Sequence, residues 1–385
     1  MSEYQYYEFV ALDQPLAAKA QAEVRALSTR ARITATSFVN EYEWGDFRGD
    51  PSRLVERHYD AHLYLANWGT RRLLLRLPRS LLDVDAVEPY LVDEQVETWT
   101  TDTHLIVDLH NNDETGDWDY EPQGALSAIV GVRTELAAGD HRALYLAWLA
   151  GYGTWERDEN TFDREADHDP EPPVPAGLHT LTAAQRALAD FLRLDDDLLA
   201  VAAEASPPLN ETTDDPKQLA AWLTTLPATE KDHLLLRVVQ DQAATVRMEL
   251  LRRFRGSTPP VTAPPQRTVG ELLDETARRR AKRQQREKAK RAEEKAHHER
   301  DRALARERRL DELAQDEQAA WTRVDALIAT RKPADYDAAV ALLVDLQALA
   351  NRENRPLDFN RCHAALRQTH KNKPSLIARL ARVNL

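Results

Sequence analysis

The stretch from Thr268 to Thr330 contains no proline and, after Gly270, no glycine. Proline and glycine are the residues that most disfavour a helix interior, whereas alanine, arginine, glutamate and glutamine, which dominate this stretch, are good helix formers. A continuous helix over these residues would be roughly 90 Å long at about 1.5 Å per residue. The sequence therefore predicts one long charged helix at 268–330, with the rest of the chain folded on either side of it.

The N-terminal half of this helix carries a basic segment, Arg278–Arg291, in which nine Arg or Lys accompany a single acid, Glu287. The formal net charge of the chain is -13, so the remainder carries -21 once the +8 of the basic segment is set aside. Like charges held together repel one another unless a partner neutralises them. The candidate contacts to RNA or DNA phosphate are Arg278, Arg279, Arg280, Lys282, Arg283, Arg286, Lys288, Lys290 and Arg291.

The basic segment is expected to be exposed and to make almost no tertiary contacts. Between Arg278 and Arg302 the only apolar side chains are alanines, which offer a partner helix no seam for packing. The segment has no aromatic platform for bases and no groove-reading motif, so contact with nucleic acid would be independent of base sequence. The alternative interpretation is a solvated spacer, or a helix that contacts an acidic protein surface.

The long helix changes character beyond the basic segment. A heptad pattern between Leu310 and Leu327 indicates either a short coiled coil or packing against the helices of the tail. The tail contains RKPADYDAAVALLVDLQALA and HKNKPSLIARLARVNL, and it resembles the C-terminal tail of bacterial proteins that carry a SWIM-type zinc finger. The resemblance implies a helical docking module at 331–385. A zinc finger of that type needs several cysteines, and Cys362 is the single cysteine here, so no metal is implied.

The first third of the chain is the part most suited to a compact domain with a sheet. Of 26 aromatic residues, which favour strands and bury large areas, 20 lie before residue 163. Strand and helix patterns alternate there, in phrases such as FVNEYEWGDFRGDP and HLYLANWGTRRLLLRLP, which resemble only bacterial proteins of unassigned function. The predicted fold class is α+β: a small mixed sheet with helices at the N-terminus, then an all-α region with one long charged helix.

Shifts in composition predict the organisation of the whole chain. The expected parts are an α+β domain at 1–156, an acidic proline-rich linker at 157–176, a helical region at 177–255, a proline-rich linker at 256–267, the long basic helix at 268–330 and a helical tail at 331–385. Within the helical region, a helix at 229–254 is expected to bury one apolar side. The side chains assigned to that side include Leu234, Leu235, Val238, Val239 and Leu250.

Histidines and acids in the first domain form a candidate metal site. A helix predicted from Asp50–Pro51 to about Ala66 places His58 and His62 four residues apart on one face. A strand or hairpin predicted at 96–109 is followed at once by His110, and the polar positions of this stretch alternate with apolar ones. The candidate ligands are His58, His62, His104, Asp108 and His110. No HExxH motif is present, so we expect a solvated polar strand face, with His58 and His62 remote from His104 and His110.

The sequence also limits the classes of function. It contains no apolar run near the roughly 20 residues that cross a bilayer, and its first residues do not have a signal-peptide pattern. It contains neither a phosphate loop nor a dinucleotide fingerprint, so no cofactor is expected. These features favour a non-enzymatic cytoplasmic interaction protein that contacts nucleic acid or a ribonucleoprotein through its basic helical arm and docks protein partners through its N-terminal and C-terminal domains. The alternatives are a metal-dependent hydrolase acting on a phosphorylated or nucleic-acid substrate, and a helical scaffold with no nucleic-acid role.

Overall fold

The computed structural model describes residues 3–112, 121–153, 168–209, 216–255, 262–263 and 267–385. Contacts divide the chain into two compact units, Met1–Lys282 and Arg283–Leu385. The first unit contains a seven-stranded sheet and helices, and the described residues of the second unit are helical. The predicted α+β class, with one long charged helix, is confirmed.

The strands of the main sheet lie in the first 112 residues. They are β1 (Gln5–Val10), β2 (Arg32–Ile33), β3 (Ser37–Tyr42), β4 (Ala61–Ala66), β5 (Thr70–Pro78), β6 (Val96–Thr100) and β7 (His104–Asn112). Their order is β2-β3-β1-β4-β5-β7-β6, and each pairing is antiparallel. The sheet is thus antiparallel rather than mixed, because short turns join β4 to β5 and β6 to β7 as hairpins, whose strands must run in opposite directions.

Helices account for most of the remaining described residues. They are α1 (Ala18–Leu27), α2 (Pro51–Arg57), α3 (Val84–Val87), α4 (Ala125–Ile129), α5 (Gly131–Ala137), α6 (Arg142–Gly153), α7 (Ala183–Phe191), α8 (Asp196–Glu204), α9 (Pro216–Thr225), α10 (Ala228–Arg237), α11 (Ala243–Arg255), α12 (Val269–Gln315), α13 (Glu317–Ala329), α14 (Pro333–Arg352), α15 (Pro356–Thr369) and α16 (Pro374–Arg382). The predicted continuous helix at 268–330 is divided into α12 and α13, because the Asp316 side chain accepts a hydrogen bond from Ala319 N and caps a new helix.

Both faces of the sheet are covered. On one face, Leu73, Leu75 and Val107 are fully buried in a core shared with α4 to α8. On the opposite face, Phe9 and Leu74 are fully buried with side chains of α1 and α2. Strand residues alternate between the two faces, so these strands are apolar on both sides and strict alternation of apolar and polar residues is lost.

The helix α2 begins where the sequence predicts and ends much earlier. Asp50 caps it by accepting a hydrogen bond from Arg53 N, and Pro51 occupies its first position. It ends at Arg57, whereas a helix to about Ala66 was expected. Residues 61–66 instead form β4, because backbone pairing with β1 on one side and β5 on the other outweighs their local helical tendency.

The described end of the acidic linker is packed into the first unit. Glu171 and Val174 are buried, and Val174 pairs with Ala263 in a ribbon of β8 (Val174–Pro175) and β9 (Thr262–Ala263). Arg267 neutralises Glu171 and so permits the burial of its carboxylate. The linker parts at 157–167, 256–261 and 264–266 lie outside the described residues.

The helical region at 177–255 is not one separate body. The helices α7 and α8 belong to the main core, in which Leu188 and Leu198 are buried. The helices α9 to α11 have a smaller cluster of their own, formed by Leu226, Leu234 and Val246.

The second unit has its own apolar core. Val324, Leu343 and Leu376 are fully buried where α13, α14 and α16 meet. The heptad residues Leu310 and Val324 are buried in this unit, so the heptad packs against the tail helices, which is one of the two arrangements that the sequence indicated.

Candidate functional site

The basic segment lies in α12, and its fourteen side chains are all exposed. The expectation of an exposed helix is therefore confirmed. Over about 21 Å of helix axis, at about 1.5 Å per residue, the segment carries a net +8, or about one charge per 2.6 Å. Duplex DNA carries one negative charge per roughly 1.7 Å of its axis. The positive charge per unit length of this helix is thus somewhat lower than, but comparable to, the negative charge per unit length of duplex DNA.

The start of α12 is fixed by a buried ion pair. The Arg267 guanidinium donates from Nε and Nη2 to the two carboxylate oxygens of Glu171, both at 2.9 Å, and from Nη1 to Val201 O at 3.0 Å. The Tyr145 hydroxyl donates to the same carboxylate. Burial and the Glu171 charge both raise the pKa of Tyr145, which keeps its proton in place for this hydrogen bond. This anchor was not predicted from the sequence.

A capping box completes the start of the helix. Thr268 N donates to the Glu271 carboxylate at 2.9 Å, and Glu271 N donates to Thr268 Oγ1 at 3.3 Å. The pattern T-x-x-E in the sequence is a second signal for this helix start, beside the absence of proline from which the helix at 268–330 was predicted. Val269 and Leu272 then enter the main core, so the first turns of α12 are structural and the exposed basic segment follows directly from them.

Arg279 and Arg280 of the basic segment form ion pairs with carboxylates of α8. Arg280 Nη2 lies 2.8 Å from Asp195 Oδ2, and Arg279 Nη1 lies 3.0 Å from Glu204 Oε1. Arg279 Nε also lies 3.6 Å from Asp197 Oδ1. These carboxylates belong to the N-cap and body of α8, so the N-terminal end of the basic segment is partly neutralised by the first unit itself.

Four cations further along the basic segment have no ion-pair partner in the described part of the chain: Lys282, Arg286, Lys288 and Arg291. Lys290 Nζ lies 3.9 Å from Glu294 Oε1, but both side chains are exposed and such a pair contributes little. Lys282 and Arg286 are four residues apart, as are Arg286 and Lys290, so these three cations form one stripe along the helix. This stripe is the part of the segment most available to an external anion.

The five candidate metal ligands do not form one site. His58 ends α2, with Nε2 3.5 Å from Glu23 Oε2, and His104 Nδ1 lies 2.7 Å from Thr103 Oγ1. His62 lies on β4 and not on the helix of His58, since α2 ends before it. Among the described residues, no group of three ligands includes His58, His62 or His104.

A different triad brings Asp108 and His110 together with Glu97, which the sequence analysis did not select. One ligand atom from each residue lies within 4.8 Å of the other two. Asp108 is buried, not solvated, and Arg72 donates to both of its carboxylate oxygens, with Nη2 at 2.7 Å from Oδ2. Burial alone would raise the pKa of Asp108, but hydrogen bonds from His110 and Arg72 outweigh it and lower that pKa.

The hydrogen bonding of this triad is that of a structural ion pair. His110 Nε2 lies 2.8 Å from Asp108 Oδ1, so this oxygen is bonded to both His110 and Arg72. A metal ion would have to displace these bonds beside the fixed positive charge of Arg72. The alternative hydrolase centre therefore gains no support from this geometry.

Comparisons with known proteins give no further guidance. No family model, curated protein or solved structure matches the chain. Among the described residues, no helix is both long and apolar enough to cross a membrane.

Proposed function

We propose that this chain is a non-enzymatic interaction protein whose basic segment binds the phosphate backbone of RNA or DNA. The observation that carries the proposal is the exposed stripe of Lys282, Arg286 and Lys290, whose first two cations have no ion-pair partner in the described part of the chain. Each cation that neutralises a phosphate releases a condensed counterion, and this release drives binding that does not depend on base sequence. Docking of protein partners by the N-terminal and C-terminal units stays a prediction.

The anchoring of α12 supports the same proposal. A flexible basic tail would lose conformational freedom on binding, whereas a helix that is already formed and fixed at Arg267 loses little. The acidic remainder of the chain opposes unspecific contact with nucleic acid elsewhere, since its net charge is -21. Binding is therefore concentrated on the one segment whose charge is reversed.

The experiment compares two fourfold variants of the full chain. In the first, Lys282, Arg286, Lys288 and Arg291 are replaced by glutamine, which also favours a helix. In the matched control, Arg300, Arg302, Arg306 and Arg308 are replaced by glutamine; they are exposed, lie on the same helix and sum to the same charge. Binding to a labelled single-stranded RNA and a labelled duplex DNA is followed by fluorescence anisotropy at low salt.

We expect the first variant to lose affinity by about tenfold or more, and the control to lose much less, because only the first reduces the +8 of the basic segment, whereas the control arginines alternate with Glu299, Asp301 and Glu307. Circular dichroism should show the same helix content in both. If both variants lose affinity equally, net charge and not the basic segment governs binding. If the unaltered chain binds neither nucleic acid at low salt, the scaffold interpretation replaces this one.

A further inference from the structure

The helical rod formed by α10, a π-helical turn at Val238–Gln242 and α11 has an apolar side that nothing in the described chain covers. Leu235 is 63% exposed, Leu236 is 54% exposed and Val239 is 80% exposed. Leu235, Val238 and Val239 were expected on a buried side, and the structure contradicts this expectation. The buried side is formed instead by Leu234 with Val246, because the short cluster of α9 to α11 has room for only one side of the rod.

The charges beside this apolar side are arranged symmetrically along the rod. Asp232 lies toward its N-terminal end and Arg247 toward its C-terminal end, and both are exposed. Neither has an ion-pair partner among the described residues. At about 1.5 Å per residue, the two lie roughly 22 Å apart, with Val239 near the midpoint.

We propose that this face of the rod pairs with the same face of a second copy of the chain, antiparallel and about a two-fold axis near Val239. That arrangement places Asp232 of each copy opposite Arg247 of the other, and Leu236 opposite Ala243. A two-fold interface requires a surface complementary to itself, and this order of acid, apolar side chains and base meets that requirement. Pairing would cover the apolar side chains that the fold leaves exposed.

The occupant is identified as a second copy by this charge order. An unrelated partner would need complementary charges of its own, whereas a second copy supplies both from the same two residues. An antiparallel crossing of two rods is also consistent with Ala243, a small exposed residue that allows close approach opposite Leu236. The inference is independent of nucleic-acid binding, since it involves no residue of the basic segment.

The first test measures the mass of the full chain by sedimentation equilibrium over a range of concentrations. We expect reversible dimers for the unaltered chain and monomers for Val239→Glu, because the substitution puts two carboxylates at the two-fold axis. The matched control is Leu357→Glu, which alters another highly exposed apolar residue, on α15, and should leave the dimer intact. Both positions are so exposed that neither substitution should affect folding. A monomeric unaltered chain, or a Val239→Glu chain that dimerises normally, overturns the proposal.

The second test uses charge reversal, which distinguishes self-pairing from any other association. Asp232→Arg and Arg247→Asp should each weaken self-association by roughly tenfold, because the two-fold axis turns two attractions into two repulsions. An equimolar mixture of the two single variants should associate again, since each supplies the charge that the other now needs. The double variant, Asp232→Arg with Arg247→Asp, should also recover self-association. If the mixture associates no better than the separate variants, this antiparallel arrangement is wrong.

Discussion

His62 was predicted on a helix from the local sequence pattern, but it lies on a strand, and its surroundings there determine its protonation. It is fully buried on β4, its ring is stacked on Phe9 at 3.9 Å between centroids, and Nδ1 lies 2.9 Å from the carbonyl oxygen of Glu8. A carbonyl only accepts, so Nδ1 carries a proton, and burial of Nε2 without a hydrogen-bond partner among the described residues favours a neutral ring. Burial lowers the pKa of His62 to about 3, despite the hydrogen bond to Glu8, which raises it.

This pKa has a defined effect on stability. An unfolded chain takes up a proton at His62 near pH 6.5, whereas the folded chain does not until about pH 3. The stability that the neutral ring contributes is therefore complete above pH 6.5 and is lost as pH falls, by up to about 1.4 kcal/mol per pH unit.

We predict that His62→Phe flattens the pH dependence of stability between pH 7 and pH 5. The phenyl ring can stack on Phe9 but cannot titrate, while loss of the hydrogen bond to Glu8 should cost about 1 kcal/mol at pH 7. Urea unfolding followed by tryptophan fluorescence at both pH values measures this. The exposed histidine variant His297→Gln serves as control and should keep the original pH dependence. If the pH dependence of stability is the same in His62→Phe as in the unaltered chain, then His62 is not buried in neutral form.

At the scale of elements, the sequence predicts helix starts well and the ends of elements poorly. The cap at Asp50 is found where it was predicted, and Thr182 and Gln185 form a capping box at the start of α7. A cap is a local pattern of a few residues, so sequence suffices. The strand at 61–66 and the burial of Glu171 depend on partners far away in the chain, which local pattern cannot reveal. The exposed basic segment was predictable because alanine leaves it nothing to bury, but its pairing with Asp195 and Glu204 was not.

The anchor of α12 gives a prediction at this scale. Arg267→Gln should reduce the free energy of unfolding of the first unit by about 3 kcal/mol, because the buried Glu171 carboxylate loses its compensating charge. Arg286→Gln, on the exposed part of the same helix, should leave that free energy unchanged. Urea unfolding measures both. Hydrogen exchange of the amide of Val269, bonded to Asp169 O at 2.9 Å, should accelerate only in the first variant. Equal stability of the two variants would contradict the anchoring role.

At the scale of the whole molecule, charge is separated between one helix and everything else. Each unit has its own apolar core, and α12 begins in the first and ends in the second. The side chains of the basic segment are all exposed, so they contribute to neither apolar core. The proposed function assigns its +8, within a chain of net charge -13, to contact with nucleic acid outside the folded cores.

The most direct test of this account is the salt dependence of nucleic-acid binding by the full chain. For duplex DNA, log affinity should fall linearly with log salt concentration, with a slope of about -0.9 per phosphate neutralised, and the line should be the same for unrelated base sequences. Replacing Lys282, Arg286, Lys288 and Arg291 with glutamine should flatten that slope by about 0.9 for each phosphate that the variant no longer neutralises. A slope unaltered by these substitutions, or the absence of binding at low salt, would contradict a phosphate-binding role for the basic segment.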